Sequence, residues 1–311
     1  MEAWQLRQMQ SLPLEVKIIK TQLRIKEWYE AWEGNVYVSF SGGKDSTVLL
    51  KLVRELYPDV PAVFIDTGLE YPEIIKFVKT KENVVWLKPK MTFNKVVEKY
   101  GYPVIGKDVA TQVEYARKGS QWAIRNLNGL NKDGSVSAFK QRYLKYKYLV
   151  DAPFKISSSC CGVMKKGPAK KYEKESKNKA FIGTMAGDSS LRKTEYLKVG
   201  CNAFNNKRPR STPMGFWTEN DVLDYLKKFN EPYATIYGDI VTTSRGYVTT
   251  GAKGTGCMWC MFGEHLEKGE NKFQKMSRTH PKQYDYCINK MGLGEVLDYI
   301  GVDYRVNSLF G

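Results

Sequence analysis

The sequence feature that most constrains the fold is a glycine-rich loop that joins a strand pattern to a helix pattern. Residues 35–40 alternate and are rich in β-branched and aromatic side chains, which predicts a strand. Residues 47–56 carry apolar side chains at helical spacing until Pro58 ends the pattern. Between these segments, the 41–46 loop consists of Ser41, Gly42, Gly43, Lys44, Asp45 and Ser46. The pattern predicts that a strand turns into a helix at two adjacent glycines.

This junction predicts an anion site. The first N–H groups of a helix have no intrahelical partner, and the helix dipole places partial positive charge there. The two glycines let the backbone approach an anion, the two serines offer hydroxyls, and Lys44 adds a positive charge. The spacing differs from GxxxxGK[ST], which disfavours a kinase or a motor-type nucleotidase. The competing interpretation is a glycine turn with a solvated Lys44 and Asp45.

Strand and helix patterns alternate beyond the loop. Strands are predicted at 62–65 and 84–87, and helices follow them at 71–79 and 92–100. This order is typical of an α/β fold with a doubly wound, mainly parallel sheet. In such sheets the sites lie at the carboxyl ends of the strands.

Three residues at the end of the second strand form a second part of the predicted site. They are Asp66, Thr67 and Gly68. Because this strand end lies next in order to the 41–46 loop, Asp66 is expected to contact a ribose or a bound metal. An ordinary helix cap or turn residue is the competing interpretation.

The remaining patterns set the organisation of the chain. Helices are predicted at 12–32, 108–127 and 165–176, with a further strand at 180–183. Thr218 and Asp221 have the spacing of a capping box. We divide the chain into an N-terminal helical segment at 1–34, an α/β nucleotide-binding domain at 35–235, and an irregular, helical C-terminal extension at 236–311.

Four of the six cysteines form two tight pairs. Cys257 and Cys260 form a CxxC pair, in which two thiolates converge on one metal centre. Cys160 and Cys161 are adjacent and cannot easily chelate one zinc ion, whereas each iron of a larger cluster takes its own thiolate. We therefore expect a [4Fe–4S] cluster at these four cysteines, with Cys201 as an alternative ligand. Zinc, or core cysteines beside a redox-active CxxC, are the competing interpretations.

The charge of the chain favours polyanionic partners. It has 49 Lys and Arg against 33 Asp and Glu, a formal charge of +16. Basic runs lie at 140–147, where tyrosines are interleaved, at 165–179 and at 207–210, so nucleic acid is one predicted partner and solvated helix faces are the competing interpretation. No apolar run reaches membrane-spanning length and no signal peptide is recognisable, so we expect a cytoplasmic protein with no membrane partner.

Taken together, these motifs resemble a known family. The 41–46 loop is similar to the PP-loop of the ATP pyrophosphatase, or adenine nucleotide alpha hydrolase, superfamily. Residues 63–73 are similar to the DTGxE[FY]PE run of the phosphoadenylyl-sulfate (PAPS) reductase family. The cysteine pairs resemble those of its cluster-bearing members, the adenylyl-sulfate reductases, and residues 183–192 and 217–225 are similar to the family's substrate loop and WTxxDVxxY helix.

The resemblance implies roles for individual residues. An adenine nucleotide (ATP, adenylyl sulfate or its 3′-phosphorylated form) would place its phosphate or sulfate end on Ser41, Gly43, Lys44 and Ser46. Asp66 and Thr67 would lie near the nucleotide, and a cluster would lie nearby. Arg192 would make a charge-assisted contact, and with Lys44 it would neutralise charge as sulfite or pyrophosphate leaves.

One motif of that family is missing from the sequence. The reductases attack the sulfate sulfur with a cysteine of an ECGxH-type carboxyl-terminal tail, and residues 303–311 contain no cysteine. Three functions therefore stay open. They are sulfonucleotide reduction with a thioredoxin-type electron donor, ATP-dependent sulfur transfer to tRNA or DNA with Mg²⁺ and a sulfur donor, and a non-catalytic cluster-containing nucleotide sensor or accessory subunit.

Overall fold

The computed structural model describes residues 1–306, in which helices and strands alternate along much of the chain. The helices are α1 (Ala3–Gln10), α2 (Leu14–Ala31), α3 (Lys44–Leu56), α4 (Pro72–Val78), α5 (Phe93–Tyr100), α6 (Lys107–Arg117), α7 (Gln121–Leu127), α8 (Gln141–Leu144), α9 (Gly167–Ser176), α10 (Ser190–Val199), α11 (Glu219–Lys228), α12 (Lys272–Thr279), α13 (Pro281–Asp285) and α14 (Leu293–Tyr299). The strands are β1 (Val36–Ser39), β2 (Ala62–Ile65), β3 (Val84–Leu87), β4 (Val104–Ile105), β5 (Lys179–Ile182), β6 (Asn202–Ala203), β7 (Arg210–Ser211), β8 (Ile240–Thr243), β9 (Gly246–Thr249) and β10 (Met261–Phe262). Short 3₁₀ or π-helical turns lie at Lys147–Asp151, Gly162–Lys166, Ala186–Asp188, Thr235–Tyr237, Glu264–Leu266 and Tyr286–Lys290.

The main sheet confirms the predicted fold class. Its strand order is β3-β2-β1-β5-β7-β6, with parallel pairing from β3 to β7 and an antiparallel β6 at the edge. Helix α3 packs against β1 and β5, and Tyr172 of α9 packs on a cluster that contains Tyr37 and Ala180. Because the chain continues from β1 to β2 on one side and β5 pairs with β1 on the other, β1 and β5 flank the switch point where such sheets bind ligands.

The residues group into two compact units, each built from separate stretches of chain. Unit 1 contains Met1–Asp66, Glu70–Lys88 and Pro168–Gly256, and therefore holds the main sheet. The described part of unit 2 contains Thr67–Leu69, Pro89–Gly167 and 257–306, and it holds the short parallel pair β4 and β10, with α6 packed against β4. These limits differ from the predicted segments 1–34, 35–235 and 236–311, because residues distant in sequence pack together. Residues 307–311 of the predicted C-terminal extension lie outside the described residues.

Two local predictions have clear outcomes. Helix α2 is amphipathic as predicted, with Ile25 and Trp28 buried and Ile19 and Leu23 exposed. The single helix predicted at 108–127 is wrong, because α6 ends at Arg117 and α7 begins at Gln121. The helix is interrupted at Gly119, whose positive φ of 80° is a conformation that ends helices.

No helix among residues 1–306 combines the length and the hydrophobicity needed to cross a bilayer.

Candidate functional site

The 41–46 loop lies at the carboxyl end of β1 and leads directly into α3, as the sequence predicts. Gly42 has a φ of +72°, and a Cβ there would lie 2.7 Å from Cγ2 of Val78 and 2.8 Å from Cγ2 of Ile74. Gly183 follows β5, and a Cβ on it would lie 3.1 Å from the carbonyl oxygen of Asp45. Neighbouring backbone and side chains therefore leave room only for glycine at Gly42 and press closely on Gly183.

Hydroxyl groups hold the loop in one conformation. The Ser46 hydroxyl donates to the carbonyl oxygen of Gly43 at 2.9 Å and lies 3.0 Å from the Ser41 hydroxyl. The Gly43 N–H donates to Ser41 Oγ at 3.3 Å, and the Thr47 hydroxyl donates to the same Gly43 carbonyl at 3.0 Å. These bonds fix the loop before any ligand arrives, which lowers the entropy lost on binding.

Lys44 places a buried ammonium group between two carboxylates. Its side chain is almost fully buried, with Nζ 3.1 Å from Asp45 Oδ1 and 3.5 Å from Glu219 Oε1. Burial lowers the pKa of Lys44, but Asp45 and Glu219 outweigh it, so the pKa lies above its usual value and the group stays protonated. Burial raises the pKa of Asp45, and Lys44 opposes that shift.

Two residues that the sequence did not indicate complete this part of the site. The backbone N–H of Lys44 donates to Tyr237 Oη at 3.2 Å, and that oxygen lies 2.9 Å from the hydroxyl oxygen of Thr255. A Cβ on Gly43 would lie 3.1 Å from Tyr237 Oη and 3.3 Å from Thr255 Oγ1. Burial raises the pKa of Tyr237, so its phenol stays neutral and can donate a hydrogen bond. No local motif marks either residue, and only the glycine- and threonine-rich composition of 237–256 hinted at an ordered loop.

Arg192 lies on the first turn of α10 and forms an ion pair with Asp188. The same Asp188 carboxylate accepts from the Met185 N–H at 2.9 Å, and Ser189 caps the helix by accepting from the Arg192 N–H at 3.2 Å. Burial raises the pKa of Asp45, and the Asp188 carboxylate adds to that shift. Arg192 further lines a small cavity of about 40 Å³ with Tyr196.

The structure divides the predicted residues that follow β2. Asp66 belongs to unit 1, where its N–H donates to the Leu87 carbonyl at 2.8 Å and the residue lines a surface cavity of about 600 Å³ with Lys79 and Lys88. Thr67 and Gly68 belong to unit 2. Thr67 is buried and its Oγ1 accepts from the Leu69 N–H at 3.2 Å, whereas Gly68 is exposed.

All four predicted cluster cysteines lie in unit 2. Cys160 and Cys161 form the first helical residues before the π-helical turn Gly162–Lys166. Such turns are frequent at functional sites. Cys257 and Cys260 form a tight turn, in which the Cys260 N–H donates to the Cys257 carbonyl at 3.2 Å and β10 follows immediately.

Burial and the neighbouring thiols raise the pKa values of two of these cysteines. Burial, together with smaller contributions from Cys161, Cys257 and Cys260, raises the pKa of Cys160 to about 12. Burial also raises the pKa of Cys260, against the effect of Lys272, whose ammonium group donates to the Cys260 carbonyl at 2.6 Å. In the part of the chain that the structure describes, no three His, Cys, Asp or Glu side chains are arranged to hold a single metal ion.

The surroundings of these thiols fit a larger sulfur-containing group. Cys160 is packed in an apolar cluster with Leu69, Phe93 and Met164, and Cys257 and Trp259 pack against the same cluster. Trp259, between the two CxxC cysteines, has a buried indole N–H that lacks a hydrogen-bond partner. A buried donor without an acceptor is costly, and sulfide or thiolate sulfur would satisfy it.

The two remaining cysteines have other surroundings. Cys201 lies in unit 1, where its Sγ is 3.5 Å from Tyr196 Oη and donates to the Pro213 carbonyl at 3.9 Å. Cys287 is fully buried in unit 2, and its thiol donates to the Tyr284 carbonyl at 3.3 Å. Each thiol therefore has a protein partner in its own unit.

Comparisons with known proteins identify the family to which the chain is similar. The model of the phosphoadenosine phosphosulfate reductase domain family matches residues 35–255. The chain is 24% identical over 231 residues to adenosine 5′-phosphosulfate reductase of Staphylococcus haemolyticus, covering 70% of this chain and 72% of that one. It is 22% identical over 243 residues to phosphoadenosine 5′-phosphosulfate reductase of Xylella fastidiosa, covering 78% and 81%.

Other similar proteins are matched over less than half of their length, or share a smaller fraction of identical residues with this chain. An uncharacterized protein of Methanocaldococcus jannaschii is 27% identical over 269 residues, which are 85% of this chain and 43% of that one. A second uncharacterized protein of the same organism is 44% identical over 87 residues, or 21% of its length, so the chain spans less than half of either relative. A crystal structure of phosphoadenylyl-sulfate reductase from Candida auris is 15% identical, with a TM-score of 0.41 over 80% of this chain and 98% of that one.

Proposed function

Because the chain belongs to the phosphoadenosine phosphosulfate reductase domain family, we propose that it is an enzyme that binds an adenine nucleotide on the 41–46 loop. The nucleotide is expected to be a sulfonucleotide, adenylyl sulfate or its 3′-phosphorylated form. Its sulfate or phosphate end is expected to lie on the loop, at the first turn of α3, where the helix dipole favours an anion.

The observation that carries the proposal is the position of the Lys44 ammonium group. It is buried at the first turn of α3 and held within 3.5 Å of two carboxylate groups. A buried, protonated lysine that is already oriented stabilises negative charge more strongly than a solvated one, because water does not screen it. Asp45 and Glu219 offset its charge until an anionic ligand replaces part of that interaction.

The proposed reaction is a two-electron reduction. A thiolate of a dithiol donor of the thioredoxin class attacks the sulfate sulfur of the nucleotide, and the S–O bond to the phosphate breaks. AMP leaves from adenylyl sulfate, and adenosine 3′,5′-bisphosphate leaves from its 3′-phosphorylated form. The second thiol of the donor then attacks the donor sulfur that carries the sulfonate, and the bond between that sulfur and the sulfonate breaks, so that sulfite leaves. The donor becomes a disulfide, and two protons are released over the two steps. Lys44 neutralises the charge that develops on the leaving phosphate oxygen, with Arg192 as a second cation.

The proposal includes an iron–sulfur cluster in unit 2, because four cysteines of two close pairs lie in that unit. Cys160, Cys161, Cys257 and Cys260 would hold a [4Fe–4S] cluster, and the Trp259 indole N–H would donate to one of its sulfur atoms. When bound, such a cluster would supply a redox-active iron centre, whose reduction potential depends on the hydrogen bonds to its sulfur atoms and on its exposure to solvent. The apolar side chains around Cys160 would keep water from it.

ATP-dependent sulfur transfer to nucleic acid is the second candidate. It is favoured by the surplus of basic residues at 89–167, which carry 15 Lys and Arg against 5 Asp and Glu. In this reaction a carbonyl oxygen of a base attacks the α-phosphorus of ATP, and pyrophosphate leaves, with Mg²⁺ offsetting its charge. Sulfide from a sulfur donor then attacks the activated carbon, and AMP leaves.

One set of assays on anaerobically purified protein separates these functions. Sulfite release from adenylyl sulfate or its 3′-phosphorylated form, with thioredoxin present, supports the first candidate. AMP and pyrophosphate release that requires tRNA or DNA supports the second. Nucleotide binding without any turnover would overturn both and leave a sensor or accessory subunit.

Two pairs of variants test the roles proposed for Lys44 in nucleotide binding and for Cys260 in holding the cluster. Lys44→Ala is expected to weaken nucleotide binding by about tenfold to a hundredfold, because a charge-assisted hydrogen bond is lost. Lys51→Ala, on an exposed lysine of the same helix, is the matched control.

Cys260→Ala is expected to lower the iron and sulfide content of the purified protein, and Cys201→Ala is the comparison. A colourless protein that binds one equivalent of zinc would overturn the cluster.

A further inference from the structure

Most of the surplus positive charge of the chain is concentrated in one stretch of unit 2. Residues 89–167 have 15 Lys and Arg against 5 Asp and Glu, a surplus of ten, whereas the whole chain has a surplus of 16. The other large stretch of unit 2, residues 257–306, is balanced at seven against seven. The charge is therefore not spread evenly over the surface, as a general solubility requirement would produce.

The same stretch exposes aromatic side chains, which is unusual for a solvated basic surface. Phe139 is 79% exposed, and Tyr115, Trp122 and Tyr148 are 45%, 40% and 41% exposed. The rings of Tyr115 and Trp122 are neighbours, with centroids 5.7 Å apart. The exposed area of these rings does not contribute to the hydrophobic stabilisation of the fold, because it stays in contact with water.

Basic groups lie directly beside these and neighbouring rings. The Lys118 ammonium group is 5.6 Å from the ring centroid of Tyr115. The Arg142 guanidinium group is 5.2 Å from the Tyr143 ring, and the Lys145 ammonium group is 4.9 Å from the Tyr146 ring. Two of these cations are paired with carboxylates, Lys118 with Glu114 and Arg142 with Asp108.

The fold brings these residues onto packed neighbouring elements. Helix α7 packs against both α6 and α8, and the turn Lys147–Asp151 packs against α6. Arg117, at the end of α6, holds that turn by donating to the carbonyl oxygens of Leu149, Val150, Ala152 and Phe154 at 2.7 to 2.9 Å. Helices α6 to α8, with residues 128–140 and the turn, therefore form what we call the basic-aromatic surface.

We propose that the basic-aromatic surface binds single-stranded nucleic acid. Lysine and arginine side chains attract the phosphate backbone, and the exposed rings of Trp122, Phe139 and Tyr148 stack on unpaired bases. A duplex keeps its bases inside, so it offers these rings no stacking surface. An acidic protein would be attracted by the positive charge, but it has no unpaired bases to stack on the exposed rings.

This inference does not depend on the proposed function. The surface belongs to unit 2 and the 41–46 loop to unit 1, and binding can be measured with no adenine nucleotide present. Failure to turn over a nucleotide therefore leaves the inference intact, and failure to bind nucleic acid leaves sulfonucleotide reduction intact.

The test uses fluorescence anisotropy of the full chain with labelled 20-nucleotide single strands of RNA and DNA, a DNA duplex of the same length, and polyglutamate. Tighter binding of a single strand than of the duplex or polyglutamate is expected. A preference for RNA shows that the sugar hydroxyls are also contacted, whereas equal affinity shows that only bases and phosphates are read. Equal or tighter binding of the duplex or of polyglutamate would overturn the proposal.

Substitutions test whether the nucleic acid binds at the basic-aromatic surface. Trp122→Ala and Phe139→Ala are each expected to weaken binding about tenfold through lost stacking, while Trp4→Ala, on an exposed tryptophan elsewhere, leaves it unchanged. Lys145→Gln with Lys147→Gln is expected to lower the slope of log K against log salt by about 0.7 per lysine. Lys275→Gln with Lys282→Gln, on exposed lysines of the balanced stretch, is the charge control. If the ring variants bind as tightly as Trp4→Ala does, the inference is wrong.

Discussion

The backbone N–H of Lys44 donates to the phenol oxygen of Tyr237 at 3.2 Å, so a residue 193 positions away holds the first turn of α3. This N–H is one of the donors that a helix N-terminus offers to an anion. Thr255 completes the contact, because its hydroxyl oxygen is 2.9 Å from the same phenol oxygen. The conformation of the 41–46 loop therefore depends on the distant segment that contains Tyr237.

Tyr237→Phe should destabilise the protein modestly. The variant keeps the buried ring but leaves the Lys44 N–H and the Thr255 hydroxyl without their partner, which costs about 0.5–1.5 kcal/mol of the free energy of unfolding. Urea denaturation measures the change. Tyr148→Phe, at a tyrosine that is 41% exposed, is the control, and an equal effect of the two variants would contradict the assignment.

The two loop glycines should respond differently to alanine. Gly42→Ala introduces a side chain at a φ of +72° and within 2.8 Å of Ile74 and Val78, so the free energy of unfolding is expected to fall by about 1–3 kcal/mol. In Gly43→Ala the nearest atoms to the new Cβ are the side-chain oxygens of Ser41, Tyr237 and Thr255 at 3.1 to 3.3 Å, so the substitution should displace these groups and mainly weaken nucleotide binding. Urea denaturation and calorimetric titration separate the two effects. A larger stability loss for Gly43→Ala would contradict the prediction.

Lys17→Met should be strongly destabilising. The Lys17 ammonium group is almost fully buried and lies 2.6 Å from Asp221 Oδ2, which also accepts from the N–H and hydroxyl of Thr218. Removing the cation leaves a mostly buried carboxylate without its charge partner, which costs about 3–5 kcal/mol. Urea denaturation again gives the value.

Arg24→Met is the matched control for Lys17→Met. Arg24 forms its ion pair with Glu27 at 2.8 Å, but both side chains are more than 40% exposed. Exposed pairs contribute less than about 1 kcal/mol, so the loss should be small. A similar loss in the free energy of unfolding for the two variants would contradict the prediction that burial strengthens the interaction between Lys17 and Asp221.

Cys287 should make the protein less stable at alkaline pH. Burial raises the pKa of its thiol to about 12, whereas an unfolded cysteine titrates near about 8.5. The folded state therefore holds the proton more tightly, and this contribution to stability is fully present below pH of about 8.5 and is lost as the pH rises towards 12. Urea denaturation at pH 8 and pH 10 should show a smaller alkaline loss for Cys287→Ala than for the unchanged chain.

Alkylation gives a second measurement of the same property. Because burial raises the pKa of Cys287 to about 12, its thiol is almost entirely protonated at pH 8, so iodoacetamide should modify Cys287 only after the protein unfolds. Mass spectrometry of samples treated with and without urea measures this. Rapid modification of Cys287 in the folded protein would contradict the burial of the thiol.

Local patterns were sufficient to predict the framework of the fold. The strands at 62–65 and 84–87 were predicted with the limits that the structure has, and the capping box of Thr218 and Asp221 is present. These features depend on side-chain alternation, helical spacing and capping, which act over a few residues. The predicted helix at 108–127 is wrong because one glycine with positive φ interrupts it, and the apolar pattern continues across the break.

The 41–46 loop shows both what the sequence determined and what it could not. The sequence alone determined that a strand meets a helix at two glycines and a lysine, because local sterics and helix ends dictate that junction. Only the tertiary structure brought Tyr237, Thr255 and Glu219 to the loop and gathered the two cysteine pairs in one unit. These contacts join residues far apart in the chain, and their energy comes from burial and charge pairing, which no local pattern encodes.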